Sequence, residues 1–123
     1  MNQLTMEEIK LLNEKAKNIR IDILKAITKA NSGHTGGSLS IADLLTLLFF
    51  HEMNINPANP KMENRDRLVI SKGHGAPALY AALAEKGYFS KEELDFLRQI
   101  NHMLQGHPDM KHTPGVDLSL IHI

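Results

Sequence analysis

The sequence admits two fold classes: a mostly helical protein, or the opening piece of an α/β domain. Three observations narrow it to these. Apolar residues recur at steps of three and four over the first thirty positions, which marks one face of a long helix. "APALYAALAEKG", residues 76–87, is rich in alanine and leucine and reads as a second strong helix. Only "RLVIS", residues 67–71, reads as a strand: it is short and apolar, with adjacent β-branched residues. One strand cannot make a sheet, so either the chain is helical or its partner strands lie elsewhere.

The elements follow in order. Thr5 and Glu8 have capping-box spacing and open the first helix, whose apolar face is Ile9, Leu12, Ala16, Ile19, Ile23, Ile27 and Ala30. Asn31, Ser32 and Gly33 stop it, and a loop follows. Ser40 and Asp43 are spaced to cap "IADLLTLLFFHEM", which is apolar on nearly every side and is expected to be buried. "NINPANP" ends it, because each proline pushes its predecessor out of the helical region. After the strand comes the tight turn "KGHG". Then comes the alanine-rich helix, with Pro77 in its first turn and Gly87 at its stop. Ser90 and Glu93 form another capping box, opening "KEELDFLRQI". "NHMLQGHPDMKHTPGVD" then reads as a loop. Its few apolar anchors predict that residues 101–123 are loosely held, with residues 11–87 the best-packed region.

Composition excludes several function classes. The chain has 123 residues, room for one domain at most, and 42% are apolar. Fourteen Lys and Arg balance 14 Asp and Glu, with no basic run, so no electrostatic argument points to nucleic acid or a membrane surface. There is no cysteine, hence no disulfide framework and no thiolate metal site, as expected of a cytoplasmic protein. The N-terminus lacks an apolar signal-peptide region, and no wholly apolar run, "LLFF" included, is long enough to span a bilayer.

Of the seven histidines, His34, His74 and His107 each follow a glycine at a break between elements. Glycine lets the backbone turn sharply and lets another group come close. The turn Gly73–His74–Gly75 also joins a strand end to a helix start. That is where ligands collect in open α/β sheets, and where free helix N–H groups favour an anion. His74 could add a ring N–H to the same phosphate. The spacing is neither that of a P-loop nor that of G-x-G-x-x-G. A metal site is disfavoured: no two histidines are four apart on a helix, and the pairs His102/His107 and His107/His112 lie five apart in a loop. There is no G-x-S-x-G for a serine nucleophile. For each of the three histidines the plain alternative is a loop side chain in water.

Three motifs in order, "SGHTGG", "NRDRLVISKGH" and "GHPD" leading into "TPGVD", carry a resemblance. From about Ile19 to Asp117 the chain resembles the N-terminal part of transketolase, most of all the N-terminal subunit of split transketolases. The resemblance implies an α/β fold, with residues 1–117 an incomplete, mostly helical part of a parallel-sheet domain that binds thiamine diphosphate. It implies transfer of a two-carbon ketol unit from a ketose phosphate to an aldose phosphate, with the cofactor as electron sink. His34 would lie beside the substrate carbonyl and hydroxyls and shuttle protons. His74, with Gly73 and Gly75, would contact the cofactor diphosphate, and His107 would reach the hydroxyl end of the donor. The family's Mg²⁺ motif, GDG with a later asparagine, does not occur here, so no metal ligand is assigned to this chain. The partners implied are a C-terminal transketolase domain or subunit, within a homodimer or heterotetramer of the parent. After Asp117 the family wording breaks off, and residues 118–123, "LSLIHI", are expected to be a non-native tail. This chain alone is expected to be inactive. The competing function is a small helical protein that binds a ligand or partner without catalysis. If the resemblance holds, His34 and His74 converge on one cleft, with His107 near its mouth.

Overall fold

The computed structural model describes residues 3–117, so the expected tail at 118–123 lies outside the described residues. Helix α1 spans Met6–Ala30 and opens on the anticipated capping box: Thr5 Oγ1 accepts from the Glu8 N–H, and Glu8 Oε1 accepts from the Thr5 N–H. It closes on Asn31 in the left-handed conformation, a state asparagine tolerates better than most residues. Its buried face is Ala16, Ile19, Ile23 and Ala26.

Between α1 and the next apolar stretch the structure holds a short helix α2, Thr35–Leu39, in place of the expected loop. Gly36 and Gly37 argue against a helix by propensity, but the turn is held by tertiary contacts described below. Ser40 therefore closes α2 and does not cap the following helix. Its hydroxyl donates to the Gly37 carbonyl at 3.2 Å. Helix α3, Ala42–Leu47, begins at Ile41 without a side-chain cap and loosens into a π-helical turn, Leu48–Glu52. It is buried on one side only: Ala42, Leu45 and Thr46 are enclosed, whereas Leu44 is 55% exposed.

Helix α4, Ala76–Lys86, is the centre of the fold. Every residue from Ala76 to Ala84 is buried, since α1, α2, α3 and the turn Lys91–Phe96 all pack on it. Its many alanines let those neighbours approach closely, and Gly87 at φ 108 ends it as expected. Ile19, Ile23, Leu45, Phe49, Leu79 and Leu83 form one core cluster. Ala26, Tyr80, Leu94, Leu97 and Leu104 form a second beside it.

The expected strand at 67–71 does not form, and the described residues contain no strand. A strand exists only as a hydrogen-bonded neighbour of another. Here the Leu68 N–H donates to Asp117 Oδ2 at 2.9 Å, a side chain and not a ladder. The segment still alternates: Leu68 and Ile70 pack on the core, and Val69 is exposed. The capping box at Ser90 and Glu93 also fails. Ser90 Oγ accepts from the Glu92 N–H, but the Glu93 carboxylate turns to His102 at 2.6 Å, and only a 3-10 turn, Lys91–Phe96, results. The loop after it is not loosely held over its described part. Leu104, Asp109, Thr113 and Val116 are buried, and Thr113 Oγ1 donates to the Met103 carbonyl at 2.9 Å. Gly115 is needed there: at φ 89, a Cβ would sit 2.6 Å from Leu83 Cδ2.

Candidate active site

His34 precedes the first residue of α2, and His74 is the middle residue of the 3-10 turn Gly73–Gly75 that leads into α4. Their rings meet edge to face, with centroids 4.4 Å apart. What brings the two segments together is Lys72, whose ammonium donates to the Gly37 carbonyl and to Ser40 Oγ, both at 2.9 Å. The same rivet holds α2 helical despite its glycines.

His107 arrives on a separate segment. Leu97 and Leu104 are driven into the second core cluster, and the Tyr80 hydroxyl donates to the Gln105 carbonyl at 2.5 Å. Burial, and then the charge of Asp109, push the Tyr80 phenol far above its usual pKa. It therefore remains a neutral donor throughout the physiological range. The cleft between the two segments measures about 230 Å³ and is lined by Gly33, His34, Gly73 and His74 on one side. Leu97, Arg98, Gln105, Gly106 and His107 line the other, with Ala76 and Pro77 at the start of α4. All three Gly-His histidines thus share one cleft.

The other motif residues build scaffold. Arg65 Nε and Nη2 donate to Asp117 Oδ1 at 3.2 and 3.1 Å, so "NRDR" is tied to "TPGVD". Asp109 of "GHPD" accepts from the Lys111 N–H and pairs with His112 Nδ1 at 2.6 Å. Two residues gain a place only from the structure: Lys72, which ties the His34 and His74 segments, and Arg98, which lines the cleft. Lys72 was within reach, since it lies two residues before His74. Arg98 was hidden in a stretch that scanned as helix.

The residues fit part of a phosphate-bearing cofactor. Imidazoles, an arginine and the positive dipole end of α4 are suited to phosphoryl oxygens. The cleft falls below the ~300–1,000 Å³ usual for a site that encloses a drug-sized ligand, so these residues surround one end of such a molecule. Among the described residues no group of three or more His, Asp or Glu could hold a metal ion. No helix among them is long and apolar enough to cross a membrane.

A helical platform presents three Gly-His turns to one cleft. The chain belongs to the transketolase thiamine diphosphate binding domain family, whose model matches residues 12–120. It is 53% identical over 108 residues to a 6-deoxy-6-sulfo-D-fructose transketolase subunit of a Clostridium species, covering 88% of this chain and 39% of that protein. It is 41% identical over 102 residues to human transketolase, covering 83% of this chain and 16% of that one. Among solved structures, a Pichia stipitis transketolase in complex with sedoheptulose-7-phosphate superposes with a TM-score of 0.83 at 35% identity, covering 88% of this chain and 16% of that one. The chain thus spans well under half the length of these relatives. Membership of the family disfavours the reading of a small binding protein without chemistry.

Proposed function

We propose that residues 1–117 are the leading part of the thiamine-diphosphate-binding domain of a transketolase. The parent would move a two-carbon ketol unit from a ketose phosphate to an aldose phosphate. The observation that carries this is the meeting of His34 and His74, 4.4 Å apart, in a cleft that also holds His107. Thiamine diphosphate, when bound, supplies the electron sink for cleaving the carbon–carbon bond. His74, with the backbone of Gly73 and Gly75, holds a phosphoryl oxygen beside the start of α4. His34 passes a proton to and from a substrate hydroxyl through its ring nitrogen. His107 orients the hydroxyl end of the donor. Mg²⁺ ligands would come from outside the described residues, and no step assigned here runs through the metal.

In this reading the segment 67–71 becomes a strand of a parallel sheet completed elsewhere in the parent. Core-facing Leu68 and Ile70, with exposed Val69 between them, support that. A C-terminal domain or subunit completes the site within a homodimer or heterotetramer. The subunit name of the Clostridium relative supports the split form. The protein works in the cytoplasm, in keeping with its lack of cysteine.

The test is turnover of the restored parent with its C-terminal partner. His34→Ala should lower turnover by roughly 10²–10⁴-fold, the usual range for a lost general acid–base. His74→Ala should mainly weaken cofactor binding. The 123-residue chain alone should show no ketol transfer and only weak affinity for thiamine diphosphate. Unchanged turnover in the His34 variant would sink the assignment.

A further inference from the structure

Among the described residues three that are not glycine have positive φ: Asn31 at 52°, Arg98 at 63° and Asn101 at 65°. Two are asparagine, the residue that tolerates this state best after glycine. Arg98 is the exception, and its side chain lines the cleft. Its backbone is pinned there, since the Arg98 N–H donates to the Leu104 carbonyl at 2.7 Å between the buried side chains of Leu97 and Leu104. Its guanidinium lies on Gly106, where an added Cβ would come within 3.1 Å of Nη1 and 3.2 Å of Cζ. Gly106 thus makes room for the guanidinium immediately before His107.

The charge is also unspent. Among the described residues no carboxylate pairs with Arg98. Three acids of the neighbouring sequence are engaged elsewhere: Asp95 with Lys29, Glu93 with His102, and Asp109 with His112. Structural needs at this φ would be met by asparagine, as they are three residues later. What arginine adds is a cation with planar donors in the wall of the cleft that also holds the three imidazoles.

We infer that Arg98 is a phosphoryl-binding residue of the cleft, donating to the phosphate of a ligand seated among His34, His74 and His107. The inference rests on reading this cleft as a phosphate-ligand site, and it goes beyond that reading by assigning a fourth residue and its charge. The phosphoryl group has two sources, a cofactor diphosphate or a sugar phosphate. A guanidinium serves either by paired N–H donation.

The experiment uses the 123-residue chain and follows the Gly106 amide and the Arg98 side-chain signals by NMR. The probes are inorganic pyrophosphate, ribose 5-phosphate and unphosphorylated ribose. At millimolar concentration one or both phosphorylated probes should give saturable shifts, and ribose none. The probe that binds identifies the source. Arg98→Asn should keep or raise the melting temperature and weaken that binding by about tenfold, the loss expected for a hydrogen bond to a charged group. Arg98→Lys should fall between. Absence of saturable binding by either phosphorylated probe would overturn the inference. So would equal affinity in the Asn variant, or a binding loss matched by a fall in melting temperature. If His74→Ala leaves pyrophosphate binding intact while Arg98→Asn abolishes it, the role of Arg98 stands and the cofactor assignment of His74 falls.

Discussion

His34 and His74 stand on one side of the cleft through polar contacts near the surface. His107 stands on the other through a loop fastened into the core. The first side depends on the Lys72 ammonium and on the backbone of a five-residue helix. The second depends on Leu97, Leu104 and the buried Tyr80 hydroxyl. The difference shows where adjustment is possible. Exposed polar rivets are worth a few tenths to about 1 kcal/mol each, so the His34–His74 side can rearrange at little cost. Buried leucines fix the position of His107 as part of global stability.

Truncating the fastened side should have the largest effect. Leu104 is fully buried beside Leu97 and Tyr80. Leu104→Ala should cost about 2–5 kcal/mol, read by urea denaturation. A loss confined to the cleft, with unchanged global stability, would break the comparison.

The next effect concerns how that side is braced. Lys91, at the start of the turn leading to Leu97, sits against Glu85 Oε2 on α4 and lies 3.4 Å from Asp22 on α1. Burial alone would raise the Glu85 pKa, but hydrogen bonds from Lys91, Asn18 and Lys15 outweigh it and hold it below the usual 4.5. A depressed carboxylate pKa stabilises the fold above the unfolded value, and that contribution is lost as pH falls through the folded one. Asp22 works the other way: burial raises its pKa, so acidification partly offsets the loss. Glu85→Gln should cost about 1–3 kcal/mol at neutral pH and flatten the acid limb of a stability–pH curve. An acid limb as steep as that of the wild type would remove Glu85 from the account.

The smallest change in stability should come from the polar side. Lys72→Met should cost less than about 1 kcal/mol yet separate the two imidazoles, seen as loss of the cross-peaks between the His34 and His74 rings. Retained cross-peaks would show that backbone geometry alone holds the pair.

Much of this was legible in the sequence where local chemistry and tertiary packing agree. α1 and α4 carry their own caps, periodicity and stops, and the Gly-His repetition marked all three cleft histidines. It was illegible where a distant partner decides. α2 is helical because Lys72, 35 residues on, holds its carbonyl, a contact no propensity reports. Residues 67–71 have strand composition, but composition does not supply the neighbour a ladder needs. Glu93 had capping-box spacing, yet His102 offered it a better partner. Arg98 lay in an apparent helix that the buried Leu97 and Leu104 instead pull into a left-handed bend.

The Arg65–Asp117 tie has a mechanical consequence. Asp117 grips Arg65 with one carboxylate oxygen and the Leu68 amide with the other, and Leu68 packs on the core around α4. A pull on the chain at residue 117 is therefore taken up by this buckle and passed through Leu68 to the central helix. It bypasses the loop that carries Arg98 and His107. That loop is strain-relieved, as a cable is by the clamp at its socket: load arriving at residue 117 reaches α4 without running along the chain that carries His107.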